Sequence, residues 1–272
     1  MSGTGNFQRV FGDRKPVIAM VHFGALPGAP LYDSAAGLDG LLDGARRDLQ
    51  ALQAAGFDAV MFGNENDRPY EFKVDTASTA TMAYLIGRLR PEITVPFGVN
   101  VLWDPASSVA LAAATGAAFI REIMTGTYAS DMGPWNPDAG EAMRYRNRLG
   151  RGDLAMLYNI SAEFAWSLDR RSLADRARSA VFSSIPDAIL VSGTITGEAA
   201  AMSDLEAVKQ VLPHTPVLAN TGVKHDTVAD VLRVADGCIV GSSLKVDGNT
   251  WNAVDPDRAA EFMRIVRATR KG

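Results

Sequence analysis

The sequence predicts an α/β fold, a (β/α)8 TIM barrel formed by a single domain over residues 1–272. The chain has 272 residues, close to the roughly 250 that one such barrel needs. Short apolar runs alternate with longer helical stretches, which predicts parallel strands joined by crossover helices. No GxGxxG motif follows the first apolar run, which argues against the alternative, an open doubly wound sheet.

Eight short apolar runs are the predicted strands, because continuous apolar runs suit strands that are covered on both faces. They are Val17–Phe23, Asp58–Asn64, Phe97–Leu102, Ala118–Ile123, Leu154–Ile160, Asp187–Gly193, Pro216–Asn220 and Asp236–Ser242. Three of them follow similar entries, AAGFDAV, ATGAAFI and RVADGCI, which predict short turns from helix to strand. The repetition indicates a chain built from βα units.

Amphipathic helices are predicted between these strands. In Leu38–Gly56 the apolar side chains fall on one face of a helix, and the final glycine is a C-cap signal. A last helix around Arg258–Thr269 is expected to close the ring. No linker or low-complexity segment divides the chain, which supports one domain.

Composition narrows the class of protein. The 27 basic and 31 acidic residues, with a pI near 5.4, argue against nucleic acid or an anionic membrane as a partner. The sequence contains 1 cysteine, so no intramolecular disulfide can form, and a reducing cytoplasmic location fits. The N-terminal residues lack the apolar core of a signal peptide, and no apolar stretch is long enough for membrane insertion. A homo-oligomer is expected from barrel architecture alone.

Polar residues at the ends of the predicted strands are the candidate site residues, because the loops there converge on one mouth of the barrel. They are His22, Asn64, Glu65, Asp67, Asn100, Arg121, Glu122, Asn159, Ser161, Glu163, Ser192, Thr194 and Asn220. Structural interpretations stay open for several: a histidine in the barrel wall, a capped turn at residues 64–67, and an amide bridge at position 100. Arg121 and Glu122 are adjacent in a strand and point to opposite faces, so one of them is expected at the site. Asn136 and Asp138 lie in a long loop that can cap the mouth.

Small residues end the last three predicted strands, in SGTITG, ANTGV and VGSSLK. Loops at this point of a barrel often hold phosphate on backbone N–H groups. We therefore expect a small phosphorylated ligand at Thr221, Gly222, Gly241, Ser242 and Ser243, with Lys245 or Lys224 adding a charged contact. A turn with an N-cap serine is the structural alternative.

The predicted chemistry centres on Glu65, because a carboxyl group in a partly dry mouth can have its pKa raised enough to act as a general acid or base. The amides of Asn64, Asn100 and Asn159 are expected to orient hydroxyl groups, and Arg121 or Lys245 to stabilise negative charge. His22, Asp67, Glu163, Ser192, Thr194 and Asn220 are the expected substrate contacts. No His and Cys cluster with zinc spacing occurs, whereas Mg²⁺ held by Glu65, Asp67 and Glu163 through a substrate phosphate stays open as a cofactor.

The stretches VHFGALPGAPLYD, PFGVNVLWD, FIREIMTG, SGTITG and DGCIVGSSLKVDG together resemble the BtpA/SgcQ family, over nearly the whole chain from about Val17. The resemblance implies a (β/α)8 barrel of the ribulose-phosphate-binding type. It also implies a relation to photosystem I biogenesis and to accessory proteins of sugar uptake.

This chain departs from the family pattern at two strand ends. Where many members have Glu-Asn ahead of Asp-x-Pro-Phe, residues 63–70 read GNENDRPY, so the acidic group has moved two places to Glu65 or has been lost. After the fifth strand, YNISAEFAW replaces an ADV stretch and a Lys-His pair, and brings Asn159 and Glu163. These departures predict a substrate specific to this member, or a different reaction.

The sequence therefore predicts an enzyme acting on a phosphorylated sugar or a nucleotide-like compound, with isomerisation, carbon–carbon cleavage and glycosidic cleavage left open. The alternative is a non-catalytic binding or assembly factor built on a barrel. A large apolar patch on an outer helix, together with a degenerate mouth, would indicate the alternative.

Overall fold

The computed structural model describes residues 5–271 and confirms the (β/α)8 barrel. In chain order the strands are β1 (Val17–His22), β2 (Ala59–Gly63), β3 (Phe97–Asn100), β4 (Phe119–Glu122), β5 (Tyr128–Ser130), β6 (Gly133–Trp135), β7 (Ala155–Asn159), β8 (Ala165–Ser167), β9 (Ala188–Val191), β10 (Val217–Ala219) and β11 (Cys238–Val240). Eight of them close a parallel barrel in the order β1-β2-β3-β4-β7-β9-β10-β11, with β11 pairing back to β1. Each barrel strand lies within one of the predicted runs.

Helices surround the barrel and bury their apolar faces on it. They are α1 (Gly5–Phe11), α2 (Gly37–Ala55), α3 (Thr76–Leu89), α4 (Pro105–Thr115), α5 (Ala139–Arg148), α6 (Leu173–Ser184), α7 (Met202–Val211), α8 (Val228–Val234) and α9 (Pro256–Thr269). The predicted end of α2 is confirmed, since Gly56 adopts φ 86° and its N–H bonds back to the last turn. None of the helices within residues 5–271 is both long and apolar enough to cross a membrane.

The barrel interior is apolar below and polar at the mouth. Ile18, Met20, Met61, Phe119, Leu157, Leu190, Leu218 and Ile239 belong to one buried cluster inside the barrel. Side chains alternate along a strand, so the next inward position of each strand falls at the mouth. Those positions hold His22, Gly63, Asn100, Arg121, Asn159, Ser192, Asn220 and Gly241. The strand geometry thus places a ring of mostly polar residues over an apolar core.

Helix α1 packs onto the interior cluster from the opposite end of the barrel, a feature that the sequence reasoning did not predict. Phe7 and Phe11 are both buried, and the ring centroids of Phe11 and Phe119 are 5.3 Å apart. Phe119 fits because strand β3 carries a glycine beside it: a Cβ on Gly98 would overlap the Phe119 ring. The N-terminal end of the barrel is therefore filled by side chains, which leaves the mouth as the open end.

A small antiparallel sheet, in the order β6-β5-β8, is formed by the segments that follow β4 and β7. It packs through the buried rings of Tyr128 and Trp135 onto Trp103, with 4.7 Å between the centroids of the two tryptophans. The expected capping loop after β4 thus contains a β-hairpin. Asp138 is the N-cap of α5, its carboxylate accepting from Glu141 N at 2.9 Å, and Asn136 lines a groove beside that helix.

Candidate functional site

Two connected cavities lie at the mouth. The inner chamber measures about 40 Å³ and is lined by His22, Glu65, Arg121, Glu163 and Asn220 together with smaller and apolar residues. The outer cleft measures about 700 Å³ and lies between the ends of β9, β10 and β11. Both cavities are bounded by Thr196, Gly197, Gly222, Gly241 and Ser242. A ligand can therefore place a narrow end in the chamber and a bulkier end in the cleft.

Glu65 reaches the chamber from the loop that follows β2. Its Oε1 lies 3.5 Å from His22 Nε2 and 4.0 Å from Arg121 Nη2, and the side chain is 6% exposed. The carboxyl group folds over Gly63, whose missing side chain leaves the inward position of β2 free. Gly63 and Glu65 together thus bring a carboxyl group to the barrel axis.

Glu163 supplies a second buried carboxyl group from the loop after β7. Its Oε1 lies 4.0 Å from Arg121 Nη1 and accepts a hydrogen bond from Asn220 Nδ2 at 3.3 Å. Its Oε2 accepts from Thr196 Oγ1 at 2.9 Å. Arg121 thus stands between Glu65 and Glu163, one guanidinium serving two acids.

Burial controls the protonation of these groups. Loss of solvent raises the pKa of Glu65 and of Glu163, and the Arg121 charge opposes this rise in both. Burial and the nearby Lys245 charge lower the pKa of His22 to about 3, so its contact with Glu65 joins a neutral imidazole to a carboxyl group. A proton can therefore stay on the acid pair at a pH where exposed carboxyl groups have lost theirs.

Amide and hydroxyl groups tie the neighbouring strand ends together. Ser192 Oγ accepts from Asn159 Nδ2 at 2.8 Å and from Asn220 Nδ2 at 2.7 Å. Asn159 Oδ1 accepts in turn from the backbone N–H of Ser161 at 3.1 Å. This network fixes the orientation of Asn220 against Glu163.

Several buried polar atoms at the mouth have no hydrogen-bond partner among residues 5–271. They are Nδ1 of His22, Oε2 of Glu65, Oδ1 of Asn100, Nε of Arg121 and Oδ1 of Asn220. An unpaired buried polar atom costs about 1–3 kcal/mol, so a cluster of them is typical of a ligand site rather than of a structural core.

Asn64 and Asp67 hold loops rather than line the chamber. Asn64 Oδ1 accepts from Leu102 N at 2.8 Å, and Asp67 Oδ1 accepts from Leu26 N at 2.6 Å. Asn64 Nδ2 also donates to Asp67 Oδ2 at 3.3 Å. The capped-turn interpretation accounts for these contacts, which connect the segments after β1, β2 and β3.

Arg121 and Glu122 separate as strand alternation predicts. Arg121 enters the chamber, while Glu122 accepts from Asn100 Nδ2 and from the N–H of Ile123. Burial raises the pKa of Glu122 from 4.5 to about 8. Asn100 Nδ2 also donates to the Arg121 carbonyl at 2.9 Å, which is the amide bridge considered for this position.

Lys245 has a partner other than the expected phosphate. Its buried Nζ donates to Asp48 Oδ2 at 2.7 Å, and Asp48 Oδ1 accepts from Val254 N at 2.9 Å. The pair joins helix α2 to the segment after β11. Because this ammonium is 2% exposed and already paired with Asp48, its charge is compensated within the protein.

The outer cleft contains the other expected phosphate-binding residues. Gly222, Gly241, Ser242 and Ser243 line it. Thr221 lies at the chamber side and accepts from Gly193 N through its Oγ1 at 2.7 Å. Ser242–Leu244 forms a 3-10 turn, which is closed by a hydrogen bond of 3.0 Å from Leu244 N to Gly241 O. The N–H groups of Ser242 and Ser243 come before this bond, so the turn itself does not use them.

Among the cleft residues that sequence reasoning missed are His225 and Arg258. His225 Nδ1 lies 3.0 Å from Ser243 Oγ, its Nε2 lies 2.9 Å from the Arg258 carbonyl, and Arg258 Nε donates to the Ser243 carbonyl at 2.9 Å. His225 follows the ANTGV signal by two residues, so the motif pointed to its loop. Arg258 comes from α9, far along the chain, and carried no local signal.

Thr194 lies on the outer side of the β9 loop. Its hydroxyl donates to the Glu198 carboxylate, and it lines a groove below the small sheet. No group of three or more His, Cys, Asp or Glu side chains with metal-binding geometry occurs in the described range 5–271. The three carboxyl groups considered for Mg²⁺ do not converge, because Asp67 is turned toward Leu26.

Comparison with known proteins agrees with this fold. The model of the BtpA family matches residues 13–268. The chain is 47% identical to the sgc region protein SgcQ of Escherichia coli, over 97% of this chain and 98% of the relative. It is 33% identical to the photosystem I biogenesis protein BtpA of Synechocystis, over 95% of this chain and 90% of the relative.

Among solved structures, the chain is similar to (S)-3-O-geranylgeranylglyceryl phosphate synthase from Thermoplasma acidophilum, in complex with sn-glycerol-1-phosphate. The TM-score is 0.61 at 14% identity, and the match covers 98% of this chain and 99% of the other. At this identity the similarity establishes the barrel fold.

Proposed function

Because the chain belongs to the BtpA family, whose model spans residues 13–268, we propose that it is a barrel enzyme performing acid–base chemistry on a small phosphorylated molecule. One observation carries the proposal: Glu65 and Glu163 are both buried at the mouth and both lie 4.0 Å from the Arg121 guanidinium. Structural cores rarely bury two acids on one base, because the excess carboxyl group is left without a compensating charge.

Proton transfer is the step that this pair supports. Ionised Glu65 would take a proton from the substrate, and protonated Glu163 would give one to it. Two carboxyl groups beside one cation titrate as a coupled pair, so that one of them can be protonated while the other is ionised. Arg121 would stabilise the negative charge that develops on the substrate oxygen. Isomerisation and carbon–carbon cleavage use such a transfer, whereas in glycosidic cleavage the acid would protonate the leaving oxygen and the base would take a proton from water.

The phosphate would occupy the outer cleft. The start of the 3-10 turn at Ser242 and Ser243 offers N–H groups, and Arg258 approaches from α9. A Cβ on Gly222 would overlap the backbone of Ala199, so glycine at this position lets the loops after β9 and β10 pack closely beside the cleft. Sugar phosphates and nucleotide-like compounds both carry a phosphate at one end and a polar body at the other, as the two cavities require.

A thermal-shift screen against inorganic phosphate, sugar phosphates and nucleoside phosphates, with and without Mg²⁺, tests the proposal. A ligand at 100 times its Kd adds about 2.7 kcal/mol to the free energy of unfolding and raises Tm. Gly241→Val should abolish the shift, because its branches would enter the cleft from a position where a Cβ already lies 3.4 Å from His22.

Gly87→Ala, on the exposed face of α3, is the control glycine variant and should keep the shift. Glu65→Gln should bind the same ligand and lose turnover. If no phosphorylated compound raises Tm, the proposal is wrong.

A non-catalytic binding or assembly role is a second candidate, supported by exposed apolar side chains. Trp166 is 77% exposed beside Leu168 at β8, and Phe182 is 91% exposed near the end of α6. One relative is itself called a photosystem I biogenesis protein. If the chain has this role, the double variant Trp166→Ser and Phe182→Ser should no longer bind the protein that it helps to assemble. Glu65→Gln should bind that protein as the wild type does.

We also expect a cytoplasmic homo-oligomer. Cys238, the one cysteine of the sequence, is buried, and burial raises the pKa of its thiol to about 12, so the thiol stays protonated and unreactive. Light scattering of the purified chain gives the oligomeric state directly.

A further inference from the structure

The orientation of the Asn220 amide determines what the inner chamber presents to a ligand. Its Nδ2 contacts Glu163 Oε1 and Ser192 Oγ. Oε1 of Glu163 accepts this hydrogen bond whether the acid is ionised or carries its proton on Oε2, so the nitrogen faces Glu163 and the amide oxygen faces away. That oxygen is buried and has no partner within the described part of the chain. The chamber wall therefore carries a free acceptor at the end of β10.

Asn100 shows the same arrangement at the end of β3. Its Nδ2 donates to the Arg121 carbonyl and to Glu122. A carbonyl oxygen can only accept hydrogen bonds, so the amide nitrogen faces it and Oδ1 faces away. Its Oδ1 is buried and unpaired within residues 5–271, as is Oε2 of Glu65. Three unpaired acceptors thus lie at the mouth, and two of them, on Asn220 and Glu65, belong to residues that line the chamber.

The charges around the chamber do not favour an anion there. Its charged side chains are Glu65, Glu163 and Arg121, and the guanidinium already lies between the two acids. The nearby ammonium of Lys245 is paired with Asp48. A carboxylate entering the chamber would meet two acids and unpaired acceptors, whereas a hydroxyl group can donate to an acceptor and also accept from Arg121 Nε.

We propose that the end of the substrate held in the inner chamber is uncharged and bears hydroxyl groups, and that a carboxylate at this end excludes a compound from the site. The inference rests on the proposed function, which puts the phosphate in the outer cleft. It narrows the substrate class to phosphate esters of polyols and of sugars, as opposed to phosphorylated sugar acids.

Matched pairs of compounds test this inference by isothermal titration calorimetry. Glycerol 1-phosphate and 3-phosphoglycerate have the same length and differ at the far end, CH₂OH against carboxylate. Sorbitol 6-phosphate and 6-phosphogluconate form a longer pair with the same difference. In at least one pair we expect the alcohol to bind about tenfold or more tightly than the acid, because the acid leaves acceptors unpaired and adds like charge.

Asn220→Ala removes one acceptor. It should weaken binding of the alcohol and so reduce the difference in affinity between alcohol and acid, while inorganic phosphate binds as in the wild type. Glu163→Gln is a second variant. It should reduce the same difference in affinity by strengthening binding of the acid, because one like charge is removed. Binding of inorganic phosphate shows that each variant is folded.

The outcomes separate this inference from the proposed function. If the acid binds as tightly as its alcohol in both pairs, or if both variants leave the difference in affinity within a pair unchanged, the inference is overturned while the phosphate site stands. If the wild type binds no phosphate ester and no inorganic phosphate, the proposed function itself fails, and this inference fails with it.

Discussion

The carboxyl group of Glu65 occupies the space into which a side chain at Gly63 would project. A Cβ on Gly63 would overlap Oε2 of Glu65 and lie 3.1 Å from its Cδ. Position 63 is the inward site at the end of β2, so an acid two residues later reaches the barrel axis over a glycine.

Gly63→Ala should therefore displace Glu65 from His22 and Arg121. The far end of a flexible side chain can move, so we expect a small change in the free energy of unfolding, about 1 kcal/mol or less. Turnover should fall about 100-fold, because misplacing a catalytic group by about 1 Å has that effect. Urea unfolding and steady-state kinetics check the two parts. An alanine variant with normal turnover would contradict the tight coupling of the two positions.

Removing one member of the buried Lys245–Asp48 pair should destabilise the fold. Lys245→Met leaves the Asp48 carboxylate buried and uncompensated, which costs about 3–5 kcal/mol. Lys245→Met with Asp48→Leu should recover much of that loss. The surface pair of Arg264 and Glu261 is the control, and its loss should change stability far less. Urea unfolding measures all four proteins.

If Lys245→Met instead keeps its stability and loses phosphate binding, the lysine contacts the phosphate after all, as the sequence first indicated.

Glu122 should make stability depend on pH. Because burial raises its pKa from 4.5 to about 8, the folded chain keeps a proton that the unfolded chain has released between these values. The free energy of unfolding then falls as pH rises through this window, by up to about 1.4 kcal/mol per pH unit. Glu122→Gln cannot titrate, so its stability relative to wild type should rise from pH 5 to pH 8.5. Denaturant unfolding at both pH values measures the change, and parallel curves for the two proteins would contradict it.

Arg121 should set the acid limb of the pH–rate profile. Its charge lowers the pKa of Glu65 against the effect of burial, so Arg121→Gln should raise that pKa further. The limb in kcat/KM should move upward by about 1–3 pH units. Arg146→Gln, which removes a buried guanidinium near Asp187 outside the mouth, should leave the limb in place. A limb that stays fixed in Arg121→Gln would exclude Glu65 as the titrating base.

The apolar runs were sufficient to predict the barrel, because each strand is covered on both faces and leaves a continuous signal. Helix α1 escaped prediction because it has 7 residues and two buried apolar side chains, Phe7 and Phe11. Two positions are too few to show a helical period. The small sheet escaped as well: β5, β6 and β8 have 3 residues each, and β8 pairs with β5 across a long sequence separation. Neither feature has enough local pattern to be recognised.

Strand ends predicted many of the residues at the mouth, since inward positions at the end of each strand converge in any such barrel. What the sequence could not supply was the choice of partner. Lys245 looked like a phosphate ligand and pairs with Asp48, which lies 197 positions away. Glu163 was expected to contact substrate, and its pairing with Arg121 became visible once β4 and β7 were adjacent.

The most direct test of the central claim is NMR of the best phosphorylated ligand incubated with the protein in D₂O. The wild type should form a new product or place deuterium on a substrate carbon, because the Glu65 and Glu163 pair moves a proton. Glu65→Gln should bind the ligand, as its Tm shift will show, and leave the spectrum unchanged. A wild-type protein that binds the ligand and changes nothing, or a Glu65→Gln variant as active as the wild type, would contradict acid–base catalysis at this mouth.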